Sequence, residues 1–405
     1  MFGLYGIVIS NCQKILGSTN IGYFFFTLIN IILGLIAFAN TFRIMRDLKV
    51  PILFRIICLL IYGIIPAFIG HIIINVKDTI YSLSIVLLIS ALIKMIHNEE
   101  KAFWNKKSEW ILYVFASILV ILTRNNGIHL SVILSLAILI KLIKSKKIDI
   151  KKITIIVIPI MISEIIIKTI TIYYGVIPGR KSEMYSLFMQ QSARYVYFYE
   201  NEVTEYEREV LSKTFAYYGV KARYDPILSD RIKETFGNIS VEYIKVYIVQ
   251  FMKHPNIYID ATLNMIYRMF TIDYIYPKYE TTFASEYDKT KFEEPQIESL
   301  EEYRTKLYDY YKIYEDLPIV NLLCGFGVYN CLSVITLTFL IRDKRKKEIY
   351  IYIPIIVTII ILILSPIVYF RYCLPIVFAT PILLAHYLSK KDNLANSFNI
   401  ERKDL

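Results

Sequence analysis

An all-α integral membrane fold is what this 405-residue sequence predicts, and three features predict it. Hydrophobic residues make up 56% of the chain and the mean hydropathy is +0.47, a balance too apolar for a soluble protein of this length. Apolar runs of about 20 residues recur, each long enough to cross a bilayer core of roughly 30 Å as a helix. Lipid offers no partners to backbone N–H and C=O groups, so these runs must form helices rather than open strands. The third feature is an uneven distribution of charge. The stretch Gly175 to Pro318 carries 18 Lys and Arg against 23 Asp and Glu, in a chain whose formal net charge is +11. A basic membrane body with one acidic, polar insert is therefore expected.

Taken in order, residues 1–20 form a short amphipathic head in which Leu4, Ile7, Ile15 and Leu16 alternate with Ser, Asn, Gln and Lys. It lacks the basic leader and small-residue cleavage site of a signal peptide, and an interfacial helix is expected. Residues 21–174 then hold six spans: Ile21–Phe42, Pro51–Ile74, Thr79–Ile96, Trp110–Leu122, Gly127–Ile143 and Ile153–Tyr174. Residues 175–318 are the insert, and residues 319–388 hold three more spans: Ile319–Ile341, Tyr350–Val368 and Cys373–Leu388. Residues 389–405 form a tail. The total is about nine transmembrane helices.

Orientation follows from the basic residues in the short connectors. The loops at 43–49, 94–107, 141–152, 342–347 and 388–405 carry 22 Lys and Arg, whereas the opposite turns carry only Lys77, Arg124 and Arg371. The first set is expected in the cytoplasm, which places the head and the insert outside and the C-terminus inside. A plasma-membrane, multi-pass location is the corresponding expectation.

The insert reads as mainly helical. Thr204-Glu-Tyr-Glu207 and Ser299-Leu-Glu-Glu302 are capping-box patterns, and Ser240 precedes an amphipathic run that ends at His254-Pro255. It holds 21 of the 34 Tyr, most of which are expected to pack the insert onto the outer leaflet, with a minority able to stack on sugar rings. Pro226, Pro277 and Pro295 divide it.

The polar groups at the outer ends of the spans carry the chemistry. His71, Lys77, Asp78, Arg124, Asn125, Asn126, His129, Arg180, Lys181, Arg371 and the flanking Tyr369 and Tyr372 fall on one surface by the orientation above. Basic residues there run against the positive-inside trend. Arg binds phosphate through two parallel hydrogen bonds and Lys as a point charge, so a lipid-linked phosphate in the outer leaflet is the expected ligand. Single cations in such turns are ordinarily interface anchors. Arg124-Asn-Asn-Gly127 is read differently, because it gathers many donors in one turn and Gly127 permits close backbone approach. Glu164 and Lys168, four apart on one span, are spaced to pair on one helix face. The five Cys show no metal-ligand spacing, no phosphate loop or nucleophile elbow occurs, and the five His are too scattered for a metal site.

Lys77-Asp78-Thr79, Arg124-Asn-Asn-Gly127, His254-Pro255-Asn-Ile-Tyr258 and Arg371-Tyr372-Cys-Leu-Pro375 together resemble an uncharacterised family of bacterial multi-spanning proteins. That family looks like a branch of the GT-C membrane glycosyltransferases. The resemblance covers most of the chain through short motifs. It implies transfer of a sugar from a polyprenyl-phosphate donor to a glycan or lipid acceptor on the outer face. By the same analogy Arg124 and Arg371 would hold the donor phosphate, with Lys77, Asn125, Asn126, His129 and Tyr372 assisting. Asp78 would orient a hydroxyl or serve catalysis. No cofactor is certain, a divalent cation is compatible, and no nucleic-acid partner is expected.

One departure from that pattern stands out. GT-C enzymes place acidic residues in the first outer loop, whereas here no Asp or Glu precedes Asp47. Either Asp78 or an insert carboxylate such as Asp273 supplies the base, or the chain is a truncated form of a longer architecture. The competing classes are a cell-surface glycan polymerase or ligase, a transporter of lipid-linked glycan, and a non-catalytic membrane scaffold. A transporter would carry internal repeats, and the span prolines Pro66, Pro159, Pro354, Pro366 and Pro381 show no repeat spacing.

Overall fold

Helices form along the apolar runs; two of them bend sharply, at Pro66 and at Gly325, whereas Pro159, Pro354, Pro375 and Pro381 lie inside helices. The computed structural model describes residues 2–97, 100–176, 184–233, 239–272, 298–365 and 367–389. Among these residues every regular element is helical. Five helices are long and apolar enough to cross a membrane, or seven if each of two bent pairs is one span. The protein is thus a membrane protein in contact with a lipid bilayer. Of the nine expected spans, Lys107–Thr123 and Ile349–Ile363 are short, at 17 and 15 residues.

The chain divides into two compact units. The first comprises residues 1–176, 272–357 and 374–405. It opens with α1 (Phe2–Leu16) and α2 (Thr19–Asp47), then α3 (Ile52–Ile64), α4 (Pro66–Ile73) and α5 (Lys77–His97). There follow α6 (Glu100–Asn105), α7 (Lys107–Thr123), α8 (Gly127–Lys144) and α9 (Ile150–Tyr174). Helix α5 is the centre of this unit. Every residue from Asp78 to Met95 is buried, and α2 and α7 pack against it. Its serines tolerate that burial because Ser82, Ser84 and Ser90 donate to the carbonyls of Asp78, Ile80 and Val86 one turn back.

Pro66 explains the first bent pair. It occupies the first turn of α4, where its missing N–H costs nothing, and it forces Ile65 into an extended conformation. Helices α3 and α4 meet at 49° as a result. The break leaves the Ile64 carbonyl to accept a hydrogen bond from the Tyr310 hydroxyl. Rings of four helices close the same corner. Phe38 stacks on Tyr62 at 4.0 Å between centroids, and Phe68 stacks on Phe378 at 5.5 Å.

The second unit comprises residues 177–271 and 358–373. It contains α10 (Ser186–Tyr199), α11 (Glu205–Ser212), α12 (Val220–Arg223), α13 (Asp230–Lys233), α14 (Val241–Lys253) and α15 (Pro255–Ile266). The Thr204 capping box forms as the sequence predicts, with Thr204 and Glu207 each bonding the other's backbone N–H. Ser240 caps α14, and Pro255 starts α15 directly after His254. Some of the insert's tyrosines enter a protein core, while Tyr197, Tyr206, Tyr218 and Tyr267 are exposed. Tyr195, Tyr217, Tyr243 and Tyr258 are buried in the unit's own core, with Tyr185, Tyr199, Tyr224 and Tyr247 packed against it. Rings and aliphatic side chains share this core, and the hydroxyl of Tyr243 is satisfied there by Ser192 at 2.9 Å.

The chain returns to the first unit through α16 (Glu301–Asp316), α17 (Pro318–Cys324), α18 (Phe326–Arg342), α19 (Ile349–Ile363) and α20 (Phe370–Leu388), with residues 358–373 belonging to the second unit. Helix α16, expected within the insert, packs instead against α4 and α17. Gly325 separates α17 from α18 at 69°, and the Tyr329 hydroxyl caps the Leu323 carbonyl at 2.6 Å. Pro277, Pro295, Pro366, Arg180, Lys181, Asp273 and the tail from residue 390 lie outside the described residues.

Candidate functional site

The start of α5 is fixed from two sides. Asn75 donates to the Tyr23 carbonyl and to the Thr27 hydroxyl of α2, at 3.1 and 3.0 Å, and Asn30 of α2 donates to the Ile74 carbonyl. The Thr79 hydroxyl donates to the His71 carbonyl at 2.6 Å, which joins the end of α4 to α5. Asp78 therefore sits rigidly in the first turn of α5, where the helix dipole favours a carboxylate. It is 4% exposed.

Opposite it lies the turn between α7 and α8. Arg124 follows the last residue of α7 in an extended conformation, and its carbonyl accepts from the Gly127 N–H at 2.8 Å. Gly127 is required here, because a Cβ at this position would lie 2.0 Å from the Val120 carbonyl oxygen. The turn brings Arg124 Nη1 to 3.2 Å from Asp78 Oδ1, with the guanidinium carbon 5.5 Å from the Tyr81 ring centroid. The sequence places both residues on one surface. The structure adds that they form an ion pair, so the positive charge of Arg124 is already offset.

The remaining residues of this group surround the pair along the chain. Lys77 is half-buried beside Asp78, Asn126 is half-buried, and Asn125 and His129 are exposed. Among the described residues, Asn125, Asn126 and His129 make no side-chain hydrogen bond with protein. Arg371 and Tyr372 lie in the second unit. There the Arg371 guanidinium is 5.2 and 5.1 Å from the Tyr369 and Tyr372 rings, and its Nη2 donates to the Tyr372 hydroxyl at 3.2 Å. Glu164 and Lys168 do not form the ion pair their spacing allows, among the described residues.

The opposite end of α5 holds a second cluster that sequence reasoning missed. Lys94 pairs with Glu109 of α7 at 2.7 Å, with side chains 5% and 6% exposed. Beside it, His97 Nε2 is 2.8 Å from His386 Nε2, and Glu348 Oε2 is 3.0 Å from His386 Nε2 and 3.9 Å from His97 Nε2. The expectation that the histidines are too scattered to meet is thereby corrected. They are 289 positions apart, and only the packing of α20 beside α5 joins them. The available signal was an ionisable residue within the apolar run of α20. Glu348 lies in the turn before α19. Burial alone would raise its pKa, but hydrogen bonds from His386 and Arg345 outweigh that and hold it at about 2. A cleft of about 1140 Å³ nearby is lined by Lys141, Lys144, Lys147, Lys151, Lys346 and Lys347 among others, in keeping with a strongly basic face.

A family model described as a family of unknown function, DUF6020, matches residues 3–398. No curated protein matches the chain. No solved structure matches it either.

Proposed function

We propose, for a chain that belongs to the DUF6020 family of unknown function, a glycosyltransferase-like activity at the membrane surface. In this reading it transfers a sugar from a polyprenyl-phosphate donor to a cell-envelope acceptor on the outer face of a bacterial plasma membrane. The observation that carries the reading is the Arg124–Asp78 pair at 3.2 Å, with Lys77, Asn125, Asn126 and His129 close in sequence to one partner or the other. A carboxylate beside a guanidinium at a helix end suits a phosphorylated sugar. The guanidinium offers five N–H donors, more than one carboxylate contact takes up, so it can meet a phosphate oxygen while Asp78 fixes its orientation. The excess of Lys and Arg in the opposite set of loops supports placing this turn outside.

The reaction would break the bond between the sugar's anomeric carbon and the phosphate oxygen, which leaves with the electron pair as polyprenyl phosphate. An acceptor oxygen forms the new bond to that carbon, and its proton departs through Asp78. Arg124 stabilises the charge that develops on the leaving phosphate. Arg371, flanked by two tyrosines, offers a separate guanidinium and two aromatic faces of the kind that meet sugars.

The test is incubation of the purified full chain in proteoliposomes with a labelled polyprenyl-phosphate sugar. Transfer or hydrolysis that disappears in Arg124→Ala is the expected result. Movement of label between leaflets without chemistry would make the protein a transporter, and the absence of both would favour a scaffold.

A further inference from the structure

Three lone-pair-bearing atoms converge at the end of α5 remote from Asp78: Nε2 of His97, Nε2 of His386 and Oε2 of Glu348. Nineteen helical residues separate this point from Asp78, about 29 Å along the axis at roughly 1.5 Å per residue, so it stands independently of the function proposed above. Each ring nitrogen has one in-plane position, which holds either a proton or a lone pair. His386 Nε2 faces both His97 Nε2 at 2.8 Å and the carboxylate at 3.0 Å. If its proton points to Glu348, it turns no proton toward His97. If it instead accepts from His97, its lone pair faces the carboxylate. A proton therefore serves the three atoms only in pairs, whereas one cation at their centre serves all of them.

We propose that His97, His386 and Glu348 form a binding site for one transition-metal dication of the zinc class. Bonds of about 2.0–2.2 Å to imidazole nitrogen and carboxylate oxygen place neighbouring donors roughly 3 Å apart. The three separations here are 2.8, 3.0 and 3.9 Å, so a small rotation of the carboxylate closes the set. Two imidazoles and one carboxylate suit zinc, cobalt or nickel, whereas magnesium and calcium take oxygen ligands. The donors are shielded from solvent, with His386 0% exposed and the side chains of His97 and Glu348 at 8% and 11%.

Arg345 supports the site from outside. Its Nε donates to Glu348 Oε1 and Oε2 at 2.9 and 3.0 Å, and its Nη1 donates to the Tyr387 carbonyl at 2.9 Å. The carboxylate is thus kept beside the two rings and the end of α20 is tied to it, as hydrogen bonds to ligands do in metal sites. The guanidinium also adds positive charge, so a bound dication would take an anion at its open position. The ion would join α5, the turn at Lys346–Glu348 and α20.

The test uses the full chain purified with a tag that binds no metal, dialysed against Zn²⁺ and, separately, Co²⁺. About one equivalent of bound metal is expected, with a visible Co²⁺ absorption of tetrahedral or five-coordinate type. Affinity should fall at least tenfold in His97→Gln and in Glu348→Gln, and remain unchanged in His254→Gln, which alters the exposed His254–Glu202 pair. His386→Ala risks misfolding, and for that reason the two milder variants carry the test, with a Zn²⁺-dependent rise in melting temperature as a second reading. Absence of metal at micromolar Zn²⁺ would overturn the proposal, as would binding that His97→Gln and Glu348→Gln leave intact.

Discussion

Arg124 Nη1 lies 3.2 Å from Asp78 Oδ1 across the gap between the α7–α8 turn and the first turn of α5. The carboxylate is nearly enclosed, and the guanidinium is less so, with side-chain exposures of 5% and 17%. Removing Arg124 therefore leaves the buried Asp78 carboxylate without this counterion.

Arg124→Ala is expected to destabilise the protein by about 3 kcal/mol, because Asp78 then stays buried and unpaired. Asp78→Asn combined with Arg124→Gln should recover most of that loss without recovering sugar transfer. Arg124→Lys should be nearly as inactive as Arg124→Ala, since Lys keeps the charge and loses the two-pronged geometry. Melting curves and the transfer assay on the three variants decide between a structural pair and a working one. Full activity in the Lys variant would show that simple charge suffices.

Gly127→Ala should disrupt the Arg124–Gly127 turn. The added methyl would lie 2.0 Å from the Val120 carbonyl oxygen, which belongs to the helix backbone and cannot move aside. A loss of about 2 kcal/mol or more is expected from such overpacking. A melting temperature equal to that of the unaltered chain would contradict the close approach.

Orientation can be read from accessibility. In a chain whose five cysteines are replaced, single cysteines at Asn126 and Tyr369 should react with an impermeant thiol reagent in intact cells. A cysteine at Lys146 should react only after permeabilisation. The reverse pattern would place the Asp78–Arg124 pair on the cytoplasmic face and remove the basis for an outer-face transferase.

Three helix ends share one strained arrangement. Lys49, Lys146 and Lys344 have φ of 54°, 54° and 57°, and the following N–H of each closes back on the carbonyl five residues earlier. Glycine adopts this conformation without the Cβ penalty. Each Lys→Gly replacement should stabilise the protein by up to about 1 kcal/mol, measured as a rise in melting temperature. A fall would mean that the lysine side chains contribute more than the backbone strain costs.

Much of the fold was legible in the residues, because lipid imposes a simple rule on them. A run of some 20 apolar residues must be helical, and breaks fall at Pro66 and Gly325, although Pro159, Pro354 and Pro381 are carried inside helices. Local hydrogen-bond chemistry was legible as well, since the Thr204 capping box and the Ser240 cap depend on residues three apart. The proximity of Asp78 to the Arg124 turn followed from counting which helix ends face the same way. Their pairing did not, because a 3.2 Å contact depends on how α5 and α7 are placed side by side. The burial of Tyr195, Tyr243 and Tyr258 was likewise hidden, for a ring suits a membrane interface and a protein core equally well, and only the packing of α10, α14 and α15 encloses these three. Sequence was blind to the meeting of His97 with His386 and Glu348. Distance along the chain carries no information about such a cluster once helices pack, and the shielding that makes three donors converge exists only in the assembled unit.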